Sequence, residues 1–165
     1  MNALSAAALD ASVRDSLATL RDVGGVIGSF VCTPNGQLVS REISAMFDDG
    51  ALAEAGSRFV RFREAFAAGG DELEVGVVRF EDHGVYMRVV GNSLLLILIQ
   101  GAVNMPALRM AANLVGRRIG PAVAQAESAP LPALRPAESA PPPVRPRRSA
   151  EAPPGMRRFR GRSVD

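Results

Sequence analysis

The side chains of this sequence that could do chemistry are few, and they form no recognised catalytic pattern. His83 is the single histidine and follows Glu81 and Asp82, which suggests a metal site because carboxylate and imidazole groups are natural ligands. Three adjacent residues in a turn rarely converge on one ion, and no second histidine is available to complete a shell. We therefore expect a solvated turn at His83, no metal and no hydrolase chemistry, since no patterned Ser or Cys nucleophile accompanies it.

Cysteine and lysine usage narrows the function further. Cys32 is the only cysteine and lies in a strongly apolar segment, so it is predicted to be a small buried hydrophobic residue, as suits a reducing cytoplasm. All 19 basic residues are arginine, and without lysine there is no Walker A phosphate loop and no Schiff-base chemistry. We expect no enzyme activity and no cofactor. The function must therefore be sought in surfaces.

The charge of the chain is unevenly distributed along its 165 residues. Residues 1–120 hold 11 Arg against 13 acidic residues, whereas residues 121–165 hold 8 Arg against 4. Ten of the 12 prolines also lie in 121–165, which has no hydrophobic period and is predicted to be a disordered Pro/Ala/Arg-rich tail after a folded domain at 1–120. Because the longest aliphatic run, Leu94 to Ile99, is too short to cross a bilayer, a cytoplasmic protein is expected.

The first half of the chain predicts a helix, a hairpin and a second helix. An amphipathic helix ends at Gly24-Gly25, and the apolar run from Val26 to Thr33 then turns at Pro34-Asn35-Gly36 into an alternating strand that ends at Ile43. The second helix has Asp48 as its N-cap and stops at Gly69-Gly70.

The second half predicts three strands and a last helix. Alternating residues mark strands around Val75 and Val85, and Ser93 to Gln100 is a continuous aliphatic run. This run and the strand Val26 to Thr33 both need cover on two faces, so they are expected to be neighbouring central strands between helical layers. Asn104 caps the last helix, which is expected to end at Gly120-Pro121.

This order of elements resembles the Roadblock family, which includes Roadblock-type dynein light chains, Ragulator scaffold subunits and MglB-type regulators of Ras-like GTPases. The similarity is carried by GVIGSFVCTPNGQLVS (Gly25 to Ser40), DDGALAEAG (Asp48 to Gly56), DHGVYMRVVGNSLLLILI (Asp82 to Ile99) and the helix around Leu108 to Arg118. It implies an α+β, three-layer Roadblock/longin-like sandwich. In that fold a five-stranded antiparallel sheet, in the order α-β-β-α-β-β-β-α, has the terminal helices on one face and the middle helix on the other.

The resemblance also implies a non-enzymatic platform that dimerises through its middle helix and third strand and acts on a small GTPase. In this sequence the middle helix carries an apolar a/d seam that suits either core packing alone or a core shared with a dimer seam. The shared seam is the interpretation that the family favours. The expected dimer surface is Leu52, Ala55, Phe59, Phe62, Phe66, Leu73, Val75 and Val77.

A different class of function stays open because of the tail. Its arginine clusters could bind nucleic acid or an anionic membrane, and the folded domain would then serve only to pair the tails. The interleaved glutamates and the modest net charge of the tail make this the less favoured alternative to a homodimeric GTPase regulator or scaffold. The residues concerned are Arg145, Arg147, Arg148, Arg157, Arg158 and Arg160.

Overall fold

The computed structural model describes residues 3–128 of the chain, and within them the side chains of residues 8–125. The tail arginines named above therefore lie outside the described residues. The elements are α1 (Ala3–Ala18), β1 (Val26–Cys32), β2 (Leu38–Ile43), α2 (Asp49–Ala68), β3 (Val75–Arg79), β4 (His83–Val90), β5 (Ser93–Gln100) and α3 (Met105–Ser128), with a 3₁₀ turn at Thr19–Asp22 after α1. This is the predicted order.

The sheet is antiparallel throughout and has the strand order β2-β1-β5-β4-β3. The two most apolar strands, β1 and β5, lie side by side, with Phe30 opposite Leu96 and Cys32 opposite Leu94. Their central position confirms the prediction from sequence. It leaves β2 and β3 as the two edges of the sheet.

Helices cover both faces of the sheet, so the chain has two apolar layers. On one face α1 and α3 pack on side chains such as Val31, Tyr86 and Ile97. On the other face α2 packs on Phe30 and Leu96. The expected three-layer α+β sandwich is confirmed. We call the two sides of the sheet the α1/α3 face and the α2 face.

Local signals in the sequence explain most of the element boundaries. Gly36 has a φ of 79°, which allows the hairpin to close on a hydrogen bond from its N–H to the Thr33 carbonyl. The Asp48 carboxylate accepts from the Ala51 N–H and begins α2. The Asn104 side chain accepts from the Ala107 N–H and begins α3.

The predicted end of α3 was wrong. Gly120-Pro121 does not stop the helix, which runs through Pro121 to Ser128. A proline inside a helix removes a hydrogen bond and clashes with the carbonyl of the preceding turn. However, the apolar spacing of Val115, Ile119 and Val123 continues across Pro121, and all three side chains are buried. Burial of Val123 therefore outweighs the local signal. Leu114 is exposed on the outer side of the same helix.

Candidate interaction surface

The position of α2 is fixed by a close approach to the β1–β2 hairpin. Gly56 of α2 is buried, and a Cβ at that position would lie 3.0 Å from the Sγ of Cys32. Gly36 of the hairpin turn is equally tight, since a Cβ there would lie 2.7 Å from the Cα of Ser57. Because neither glycine leaves room for a side chain, the first half of α2 lies directly on β1 and the hairpin.

The apolar stripe of α2 divides into two parts with different environments. Leu52 is buried at 3% exposure, and Ala55 and Phe59 pack against the same layer of the sheet. Leu73, just before β3, joins them. These four members of the predicted dimer surface are therefore largely covered within one chain.

The C-terminal half of the stripe stays open. Phe62 and Phe66 are 41% and 40% exposed, and their rings pack edge to face with centroids 5.0 Å apart. Arg63, on the same half of α2, donates to the Asn92 carbonyl at 3.2 Å and holds the helix near the β4–β5 turn. The two phenylalanine rings thus form an aromatic pair that is partly exposed at the surface of the single chain.

A groove of about 250 Å³ separates α2 from the β3 edge of the sheet. Its lining is apolar except for the guanidinium of Arg58 and consists of Arg58, Phe59, Phe62, Val78 and Phe80. Phe80 is 60% exposed, which is unusual for an aromatic side chain in a folded domain. We call this feature the α2–β3 groove.

The edge strand β3 also carries apolar residues on its other face. Val77 is opposite Tyr86, whose side chain lies in the layer under α1 and α3, so Val75 and Val77 belong to the α1/α3 face. Both valines are more than a third exposed. The predicted dimer surface therefore includes residues on both faces of the sheet at β3. The outer backbone edge of β3 has no neighbouring strand in the single chain.

The opposite edge of the sheet is built differently. The β1–β2 pairing is interrupted by a shift of register at Val31 and Cys32, which places Val39 out of the ladder. The Nε of Arg14, from α1, donates to the Arg41 carbonyl at 3.3 Å and so occupies a backbone acceptor of β2. Bulges and charged side chains are the devices by which proteins block strand pairing. The pairing of β3 with β4 has no shift of register, and the one charged residue of β3 is Arg79, at its last position.

Sequence reasoning missed part of the groove. Val78 and Phe80 were not among the residues named individually for the dimer surface, but both line the groove beside Phe62. Alternation within β3 contained the signal, because a strand that shows Val75 and Val77 on one face must show Val78 and Phe80 on the other.

The remaining chemical groups of the described chain are not assembled into a site. His83 is exposed at the start of β4, and its carbonyl accepts from the Phe80 N–H at 2.7 Å. Within residues 8–125 no three His, Cys, Asp or Glu side chains are placed to hold a metal ion. Among the helices described, none combines the length and apolar character needed to cross a membrane.

Cys32 is buried in β1, as predicted, with its Sγ 3.8 Å from the Leu94 carbonyl. Burial raises the pKa of its thiol to about 11, although the contact with Leu94 acts in the opposite direction. Because the folded pKa lies above the unfolded one, the thiol stabilises the fold below about pH 9 and loses this contribution as the pH rises toward 11.

We expect Cys32 to react with a thiol reagent at pH 8 far more slowly in the native protein than in denaturant. Burial and a protonated thiol both slow the reaction, and only unfolding removes them. The rate of release of the chromophore from a disulfide reagent measures this. Equal rates in buffer and in denaturant would contradict the burial of Cys32.

Comparison with known proteins gave matches at the level of structure only. No protein-family model matches the sequence, and no curated protein matches it. Among solved structures, the Roadblock/LC7 domain of Streptomyces avermitilis is 13% identical, with a TM-score of 0.58 over 67% of this chain and 97% of that one. An MglB structure with a tetrameric arrangement is 12% identical, with a TM-score of 0.63 over 72% and 93%. The gliding protein MglB of Thermus thermophilus is 12% identical, with a TM-score of 0.62 over 72% and 93%.

These matches define the class of fold. The sheet order and the placement of helices on both faces are those of the Roadblock family, so the chain has a Roadblock fold. Within that class it is similar to MglB proteins over nearly the whole length of their chains.

Proposed function

We propose that this chain is a non-enzymatic cytoplasmic module that forms a homodimer through α2 and β3 and regulates or scaffolds a Ras-like small GTPase. The observation that carries the proposal is the difference between the two sheet edges. β2 is blocked by a shift of register and by Arg14, whereas β3 is open and flanked by exposed Val77 and Phe80. An open apolar edge strand in a folded protein presents unpaired backbone groups that can pair with a strand of another chain.

Antiparallel pairing of β3 with its own copy would satisfy the open backbone groups of both chains. The two-fold axis would then stand perpendicular to the sheet, because this is the rotation that reverses strand direction and keeps each face on its own side. Both α2 helices would lie on one face, where Phe62 and Phe66 of each copy can fill the α2–β3 groove at the junction. This arrangement covers the apolar residues on both sides of β3.

The GTPase part of the proposal rests on the likeness to MglB. The resemblance seen in the sequence implies regulators of Ras-like GTPases, and the MglB fold is shared over most of the chain. One of these MglB structures has a tetrameric arrangement, which supports self-association in proteins of this fold. Such a dimer acts on a GTPase by binding one nucleotide state more tightly than the other.

The test is the affinity of the 165-residue chain for a candidate Ras-like GTPase of the same organism, loaded either with a non-hydrolysable GTP analogue or with GDP. We expect tighter binding to the GTP state by at least about tenfold, which corresponds to the usual size of a coupling free energy. Equal affinity would remove the regulatory role and leave a scaffold. Absence of binding in both states would overturn the GTPase part of the proposal.

The same experiment separates the rival function, a dimeric adaptor for its tails. The control is a shortened chain of residues 1–128, which keeps the whole of α3. Retention of the GTPase by this shortened chain supports recognition by the folded domain. Loss of the GTPase with the tail, accompanied by retention of nucleic acid on the full-length chain, favours the adaptor.

A further inference from the structure

The outer side of α3 combines exposed apolar and cationic side chains that the proposed dimer does not use. Met110 is 75% exposed and Leu114 is 53% exposed. Four and seven residues on from Met110, Leu114 and Arg117 share its side of the helix, since these spacings return to the same angle. The full stripe, opposite the buried one, is Met110, Leu114, Arg117, Arg118 and Pro121, with Arg109 at its border.

The part of α3 whose side chains are described carries no acidic residue. From Met105 to Gln125 the sequence has no Asp or Glu, whereas it has three arginines. None of these arginines forms an ion pair within the part of the chain whose side chains are described, where all four ion pairs lie on other elements. The outer side of α3 is therefore a cationic surface with two apolar side chains at its centre.

The charge of the whole chain changes sign where α3 begins. Residues 1–104 hold 8 Arg against 13 acidic residues, while residues 105–165 hold 11 Arg against 4. A flat anionic surface would repel the body of the domain and attract α3, so electrostatics alone would orient the molecule. The sequence after α3 adds arginine to the same end of the chain.

We propose that the outer side of α3 docks on an anionic membrane surface, with Arg109, Arg117 and Arg118 at the lipid headgroups and Met110 and Leu114 at the edge of the acyl region. Adjacent aliphatic and basic side chains on one helix side suit an interfacial helix. A nucleic acid would leave Met110 and Leu114 without a partner, because phosphate contacts use the cations alone. The lipid surface is thus the occupant that uses both kinds of side chain.

The proposed dimer would strengthen this docking without being required for it. If β3 pairs with its copy, the two α1/α3 layers lie on the same face of the joined sheet. Both α3 helices could then reach one membrane together, and binding of the second would follow at high effective concentration. A monomeric variant is expected to bind the same vesicles more weakly, with the same dependence on Arg117.

The experiment is flotation of the full-length protein with vesicles of neutral phosphatidylcholine and with vesicles in which a third of the lipid is phosphatidylglycerol. We expect binding to the anionic vesicles only, weakening as salt is raised. Replacing Arg117→Gln together with Arg118→Gln should weaken binding by about thirtyfold, from the usual contribution of two arginines near such a surface.

Two further variants test the roles of the apolar side chains of α3 and of the tail. Circular dichroism checks that each variant is folded. Met110→Gln with Leu114→Gln changes no charge and should weaken vesicle binding while leaving any binding to a DNA duplex unchanged. Arg157→Gln with Arg158→Gln removes the same charge from the tail and should have the smaller effect. Equal loss in the tail variant, no binding to anionic vesicles at low salt, or tighter binding to the duplex than to the vesicles would each overturn the proposal.

Discussion

A Phe62→Asp variant is expected to be a folded monomer at concentrations where the unmodified chain is a dimer. The ring of Phe62 is 41% exposed in the single chain, so its loss removes little from the core. In the proposed dimer it would lie at the junction of two chains, and two carboxylates would become buried without partners. At about 2 kcal/mol each, this weakens association roughly a thousandfold.

Sedimentation velocity over a range of concentrations measures this effect. The matched control is Met46→Asp, which also places a carboxylate on an exposed apolar position, but outside the α2–β3 groove. Phe80→Asp tests the groove from its other wall and should behave like Phe62→Asp. A folded Phe62→Asp variant that still sediments as a dimer would contradict the assignment of the surface.

Replacing Gly56→Val is expected to lower the free energy of unfolding by about 3 kcal/mol and the melting temperature by roughly 10 °C. The added Cβ would lie 3.0 Å from both the Cβ and the Sγ of Cys32, and the Gly36 carbonyl oxygen would lie at 3.3 Å. These neighbours belong to a central strand and a tight turn, so they cannot move aside without lifting α2 from the sheet.

Thermal unfolding followed by circular dichroism provides the measurement, and two variants provide the comparison. Ala65→Val introduces the same β-branched residue at an exposed position of α2 and should change the melting temperature by only a degree or two. Gly56→Ala should fall between the two valine variants. An unchanged melting temperature for Gly56→Val would show that α2 does not lie as close to β1 as the structure places it.

The predictability of this fold from its sequence differed between elements for physical reasons. The central pair β1 and β5 could be predicted because strands buried on both faces need an unbroken apolar run. The ends of α2 could be predicted because Asp48 and Gly69 are strong local signals. The end of α3 could not, because it depends on the burial of Val123 across a proline, a tertiary effect that no local rule contains.

The candidate surface was predicted less completely than the fold. An apolar stripe on a helix does not say where its own sheet ends, so Leu52 and Phe62 look alike in the sequence although one is buried and the other is open. Phe80 follows the last residue of β3, so its position beside the groove could be predicted only by extending the alternation of the strand past Arg79.

The blocked edge of β2 sets a limit on how large such an assembly can become. A sheet that grows by adding strands needs a free edge at each end, as in fibrils. A dimer joined through β3 would present only β2 at both outer margins, where Arg14 already occupies the carbonyl of Arg41. Growth would therefore terminate at two chains, and the protein could expose an aggregation-prone strand for pairing without risk of open-ended polymerisation.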